Sequence, residues 1–74
     1  MKIYKTIVYG VGNEKDEAKI SIQSFNHIQN LQQRADNLIG VIQSLYQDFS
    51  LQPNKEEIVW NITKAIMDNK FVIR

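Results

Sequence analysis

The feature that most constrains how this chain folds is a long run of apolar residues at helical spacing. The run consists of Phe25, Ile28, Leu31, Ala35, Leu38, Ile42, Leu45 and Phe49. Steps of three and four residues place such side chains on one face of a helix. The pattern predicts a single helix from about Phe25 to Phe49, about 37 Å long. A compact domain of this size is only about 30 Å across. We therefore expect an elongated fold, or burial of the stripe against a second copy of the chain.

Small size limits the ways in which this chain can be stabilised. With 74 residues it has room for one domain, which we assign to residues 1–74. Such a domain buries only about 60% of the surface of its unfolded chain, and small domains compensate with disulfides, metals or oligomerisation. The chain has no cysteine and one histidine, His27. These counts predict no metal site and no cofactor, and they leave a homo-oligomer, expected to be a dimer.

The beginning of the chain is typical of a β-hairpin. β-Branched and aromatic residues dominate residues 2–11, which favours a strand. After a charged turn, the alternation of Ile20 and Ile22 predicts a second strand over about 18–24. The alternative reading begins the long helix here, with Asn13 as its N-cap. We prefer the hairpin because Ile20 falls off the helical stripe.

The start of the first helix has two candidate caps. Asn26, with Gln29 three residues later, fits a capping box, and Ser24 is the other candidate. Gly40 lies inside the predicted helix, where glycine costs about 1 kcal/mol relative to alanine. Either the close approach of another backbone or a mild kink would account for this glycine.

The end of the chain predicts a second helix and a third strand. Asn54 with Glu57 is a capping box that begins a helix over about 55–68, and Asn69 suits the left-handed conformation that closes it. Residues 70–74 favour a strand beside the first one. The order ββααβ predicts an α+β fold, in which a small antiparallel sheet (the β-hairpin plus the C-terminal strand) carries two helices on one face.

Few residues here are suited to catalysis. With no cysteine, nucleophilic arrangements reduce to His27 paired with a serine, and His27 lies at the edge of the stripe, where a half-packed histidine is the simpler explanation. Glu14, Asp16 and Glu17 occupy a charged turn that nothing desolvates. We therefore expect no enzymatic activity.

Two surfaces are candidates for binding another macromolecule. On the second helix Trp60 and Met67 lie opposite the core face, with Lys64 between them, and Trp and Met are common interface anchors. The alternative is that Trp60 folds back over the Lys64 stem or packs under the sheet edge. A modest basic patch on the terminal strands is the other surface, formed by Lys2, Lys5, Lys70 and Arg74. A net charge of +1 argues against a strong field for nucleic acid.

The sequence thus predicts a small protein-binding module: an adaptor, inhibitor or regulator that acts as a homo-oligomer. Self-association would use Leu38, Ile42, Leu45 and Phe49. A nucleic-acid-binding regulator is the alternative, and a small-ligand site between subunits stays open. No signal peptide and no apolar run long enough to span a bilayer is evident, so we expect no membrane partner and a cytoplasmic location.

Overall fold

The computed structural model describes residues 4–31 and 37–74. These residues form three strands and three helices in the order β-β-α-α-α-β. The elements are β1 (Tyr4–Tyr9), β2 (Asp16–Ser21), α1 (Ile22–Leu31), α2 (Leu38–Asp48), α3 (Lys55–Met67) and β3 (Phe71–Ile73). The predicted α+β class is confirmed, with one more helix than the sequence pattern indicated.

The sheet is antiparallel, with strand order β2-β1-β3. Ile7 of β1 pairs with Ala18 of β2 on one side and with Ile73 of β3 on the other. The predicted pairing of the first and last strands is therefore confirmed. In the ambiguous segment 18–24, the first residues belong to β2, which ends at Ser21, and the rest belong to α1, which begins at the next residue.

The core lies between the sheet and the helices. Alternate residues of β1 and β2 point towards the helices, and Ile7 and Ile20 are fully buried there. Each helix contributes to the same cluster, which includes Ile28 of α1, Leu45 of α2 and Ile62 of α3. Fully buried branched side chains dominate this cluster, so burial of apolar area is the main contribution to stability.

The prediction of a single helix from Phe25 to Phe49 is wrong. The stripe is divided between α1 and α2, which pack against each other. A strand of six residues spans only about 20 Å, so a 37 Å helix would extend well beyond the sheet. Two shorter helices can both cover it, and the described residues fit within 29 × 27 × 23 Å. Ala35, the middle of the predicted stripe, lies outside the described residues.

Helix caps agree only in part with the predictions. Both candidate caps of the first helix are wrong, because Ser24 and Asn26 lie inside α1. The hydroxyl oxygen of Ser21 instead accepts the backbone N–H of Ser24 at 3.1 Å. Asn54 is the N-cap residue of α3, as predicted, but its side chain makes no capping hydrogen bond.

The end of α3 agrees with the sequence. Asn69 has a φ of 56°, the left-handed conformation predicted for it. Its backbone N–H donates to the carbonyl oxygen of Ile66, and the N–H of Lys70 donates to that of Ala65. This closure turns the chain back towards the sheet, where Lys70 accepts a hydrogen bond from the N–H of Gly10.

Candidate functional site

The outward face of α3 carries the largest apolar side chains exposed on that helix. Its inward face buries Val59 and Ile62, whereas Trp60 is 63% exposed and Met67 is 65% exposed. Lys64 lies between them and is exposed as well. We call Trp60, Lys64 and Met67 the α3 ridge. The alternative in which Trp60 packs under the sheet edge does not fit this exposure.

A cleft borders the α3 ridge on the side of the β1–β2 turn. It has a volume of about 370 Å³ and is open to solvent. The turn and strand side is formed by Tyr9, Gly10, Val11, Glu14 and Asp16, and α3 with the residues after it provides Asn61, Lys64, Ala65, Asp68 and Lys70. Because Lys64 belongs both to the ridge and to the cleft, the two surfaces are continuous.

The turn that forms one wall of the cleft requires glycine at its start. Gly10 has a φ of +112°, a conformation that side chains rarely adopt. A Cβ at Gly10 would lie 2.5 Å from the carbonyl oxygen of Glu14. The absence of a side chain at Gly10 therefore lets the backbone of Glu14 approach the start of the turn. This approach places the acidic residues Glu14 and Asp16 beside α3.

Tyr9 is one of the residues that line the cleft. It occupies the inward face of the central strand, paired with Asp16 on one side and Phe71 on the other. Its side chain is only 8% exposed. Within residues 4–31 and 37–74, the buried side-chain polar atom left without a hydrogen-bond partner is Oγ1 of Thr63 on α3, not the Tyr9 hydroxyl. Burial raises the pKa of this hydroxyl, and the negative charges of Asp16 and Glu57 raise it further.

The carboxylates around this cleft are not neutralised by ion pairs within the described part of the chain. Among residues 4–31 and 37–74 the ion pair formed is Arg74 with Glu17, at 3.6 Å, and both side chains are exposed. Exposed pairs of this kind contribute at most about 1 kcal/mol. The cleft itself has three carboxylates, on Glu14, Asp16 and Asp68, against the two ammonium groups of Lys64 and Lys70.

Of the basic residues of the alternative function, the three that the structure describes, Lys5, Lys70 and Arg74, are not brought together. The ammonium group of Lys5 lies 5.3 Å from the centre of the Phe25 ring, on the helix side of the sheet. The backbone of Arg74 is hydrogen-bonded to that of Thr6, which follows Lys5 on β1 and therefore faces the opposite side of the sheet. The Arg74 side chain pairs with Glu17 on that side. Lys70 lies at the other end of β3, and Lys2 is outside the described residues.

The residues predicted to carry self-association have different environments. Leu45 and Phe49 are buried in the core of this chain, and Leu38 and Ile42 are half-buried. Packing within one chain therefore accounts for Leu45 and Phe49 without a second copy. The predicted oligomer itself stays a prediction.

One polar cluster was missed by the sequence reasoning. The carboxylate of Asp48, at the end of α2, accepts the backbone N–H of Ser21 at 2.9 Å and the hydroxyl of Ser24 at 2.7 Å. Ser21 also donates its hydroxyl to that of Ser24 at 3.2 Å. The pair Ser21 and Ser24, placed where the apolar stripe begins, was the available signal. These bonds join two helix ends, so we interpret the cluster as structural.

His27 is not part of this serine cluster. Its half-buried ring lies beside Gly40, where a Cβ would be 3.1 Å from the ring nitrogen Nδ1. Within the described ranges, no group of three or more acidic, histidine or cysteine residues is arranged to hold a metal ion. In the same ranges, no helix is both long and apolar enough to cross a membrane.

Comparison with protein-family models, curated proteins and solved structures found no match to this chain.

Proposed function

We propose that this chain is a non-enzymatic protein-binding module of the cytoplasm, an adaptor, inhibitor or regulator whose contact surface is the α3 ridge. The observation that carries the proposal is the exposure of Trp60 and Met67 on one face of a well-packed helix. Large apolar side chains that align on a surface are typical of protein interfaces. Burying the exposed part of a tryptophan contributes on the order of 3 kcal/mol to association.

The rigidity of α3 supports this proposal. The helix is held by Val59, Ile62 and Ile66, which are buried in the core. The Trp60 side chain is thus attached to a backbone that does not need to be ordered on binding, which lowers the entropic cost of association. Binding of nucleic acid has no comparable support, because Lys5, Lys70 and Arg74 lie apart.

The proposal is tested by capture from a lysate of the native host, followed by mass spectrometry of the bound proteins. Trp60→Ala is expected to lose the specific partners of the wild-type chain, and Met67→Ala to reduce their recovery. Leu51→Ala is the matched control, because Leu51 is 96% exposed and lies outside α3. Its partners should match those of the wild type. Retention of every partner by Trp60→Ala would show that the ridge is not the contact surface.

A further inference from the structure

β2 lies at one edge of the sheet, and the hydrogen bonds of β1 show which of its backbone groups are already used. Thr6 and Arg74 donate to each other's carbonyl oxygens at 3.3 and 2.8 Å, so Thr6 directs its backbone groups towards β3. Successive residues of a strand direct their backbone groups to alternate sides, so the next residue, Ile7, directs its own towards β2. Ile7 pairs with Ala18, and Ala18 therefore uses its N–H and C=O within the sheet.

The neighbours of Ala18 on β2 direct their backbone groups away from the sheet. They are Glu17 and Lys19, and the same alternation includes Ser21, whose N–H donates to the carboxylate of Asp48 instead of to a strand. Among the hydrogen bonds of residues 4–31 and 37–74, none uses the outward N–H or C=O of Glu17 or Lys19. This edge therefore has donors and acceptors ready for another strand.

The side chains along this edge are exposed and carry opposite charges. Glu17 and Lys19 lie on the face of the sheet turned away from the helices, because Ala18 between them packs against the core. The Glu17 carboxylate contacts Arg74 through one of its oxygens, at 3.6 Å. On the helix side, a groove of about 440 Å³ separates Glu17, Ala18 and Lys19 from Phe49, Gln52 and Ile58. A strand placed along the edge would thus have room for its inward side chains.

A second copy of β2 matches this edge in one antiparallel register. When Ala18 lies opposite Ala18 of the second copy, Glu17 lies opposite Lys19 of that copy. Both are outward-facing residues, so each such pair can exchange two backbone hydrogen bonds. Opposite charges directly across an antiparallel pair are stabilising, whereas a slide of two residues places Glu17 opposite Glu17 or Lys19 opposite Lys19. A slide of one residue would place outward-facing residues opposite inward-facing ones.

We propose that two copies of this chain associate through their β2 edges, in the register that places Glu17 opposite Lys19. The two three-stranded sheets then form one continuous sheet around a two-fold axis at Ala18. Lysine on an exposed edge strand discourages pairing with other strands. Here the acidic residue two positions away makes the charge pattern self-complementary, so this edge accepts its own copy and disfavours strands of other patterns. The β2 edge is separate from the α3 ridge, so the pairing does not depend on the proposed function.

Hydrogen exchange of the backbone amides, measured by NMR, tests the pairing at the atoms that would form it. For a dissociation constant on the order of 100 µM, the amides of Glu17 and Lys19 should exchange about threefold more slowly at roughly 1 mM protein than at roughly 20 µM. The amide of Ala18 should change little, because it is bonded within one chain. Exchange at Glu17 and Lys19 that is independent of concentration would overturn the proposal.

Charge reversal tests the register. Glu17→Lys and Lys19→Glu each place like charges opposite each other at two positions of the dimer, and each should weaken association about tenfold. The double variant Glu17→Lys/Lys19→Glu restores opposite charges in the same register, and its association should be within about threefold of the wild type. Glu56→Lys is the matched control: it makes the same change of charge at an exposed residue of α3 and should have no effect. Sedimentation equilibrium measures association, and thermal unfolding confirms that each variant is folded.

Three outcomes of these measurements would overturn the pairing. A double variant that associates as weakly as the single ones would show that the register is wrong. A dimer that Glu17→Lys leaves intact would place the contact on another surface, and a wild-type chain that stays monomeric up to about 1 mM would exclude a contact of this strength. None of these outcomes depends on whether Trp60→Ala loses its partners, so the two proposals can fail independently.

Discussion

At the scale of single residues, Gly40 shows how a neighbour in space decides the choice of amino acid. A Cβ at this position would lie 3.1 Å from the Nδ1 atom of His27 and 3.1 Å from the side-chain oxygen of Asn37. Asn37 in turn donates its amide to the backbone carbonyl of His27 at 2.6 Å. The close approach of another backbone is therefore not the reason for this glycine, because the nearest atoms belong to the side chains of His27 and Asn37.

This crowding gives a prediction for Gly40→Ala. In an uncrowded helix the change stabilises by about 1 kcal/mol, but here the imidazole must shift, so we expect no gain or a small loss. In a His27→Ala background, where the contact with Asn37 remains, the same change should recover part of that stabilisation, less than about 1 kcal/mol. Urea unfolding of the four proteins of this cycle measures the free energies. A full gain from Gly40→Ala alone would contradict the steric explanation.

The exposure of Trp60 and Met67 could be predicted from the sequence, whereas the packing of Gly40 could not. Spacing along one helix fixes which side chains are opposite Val59 and Ile62, so local information is sufficient. The contact of Gly40 with His27 depends on how two helices pack, which the spacing of either helix does not determine. The same limit applies to Tyr9, which lines the cleft together with residues of the β1–β2 turn and of α3.

At the scale of elements, the separation of α1 from α2 is the main difference from the sequence prediction. One continuous stripe is compatible with a single helix or with two helices that both turn the same residues inward. Ile28 and Leu45 lie on this stripe in either case and are buried in one cluster. Hydrophobic spacing therefore identified the core residues of both helices, although it did not reveal that they are two helices packed against each other.

The Asp48 cluster should be important for holding these helices together. Asp48→Ala removes the acceptor for the backbone N–H of Ser21 and for the buried hydroxyl of Ser24. We expect a loss of roughly 3 kcal/mol in the free energy of unfolding, since a charged acceptor is lost and a buried donor is left unpaired. Asp68→Ala is the control and should change stability by less than about 0.5 kcal/mol. Urea unfolding measures both, and similar values for the two variants would contradict the structural role.

At the scale of the whole molecule, the first argument for self-association, the length of a single helix, no longer holds. The length of the stripe no longer demands a second copy, because the described residues extend over at most 29 Å. The small size of the chain and its lack of cysteine still favour assembly. Ile39 and Tyr46 are exposed on α2, seven residues apart and next to the half-buried Leu38 and Ile42.

Besides the pairing of β2 edges, we therefore still predict a contact between copies, now through the outward face of α2. Sedimentation equilibrium at high micromolar concentration should give a mass above that of one chain. Ile39→Lys should shift the equilibrium towards the monomer without unfolding the protein, because Ile39 is 67% exposed. A strict monomer throughout this concentration range would rule out the dimer, and a dimer unaffected by Ile39→Lys would place its contact elsewhere.

The strand order has a consequence for how the protein is made on the ribosome. β1 is the central strand, yet its partner β3 is translated about sixty residues later. Until β3 is made, the hairpin of β1 and β2 leaves one edge of β1, its more apolar strand, without a partner. An unpaired strand edge can pair with another chain. The interval before β3 emerges is thus the period in which this protein is most exposed to aggregation.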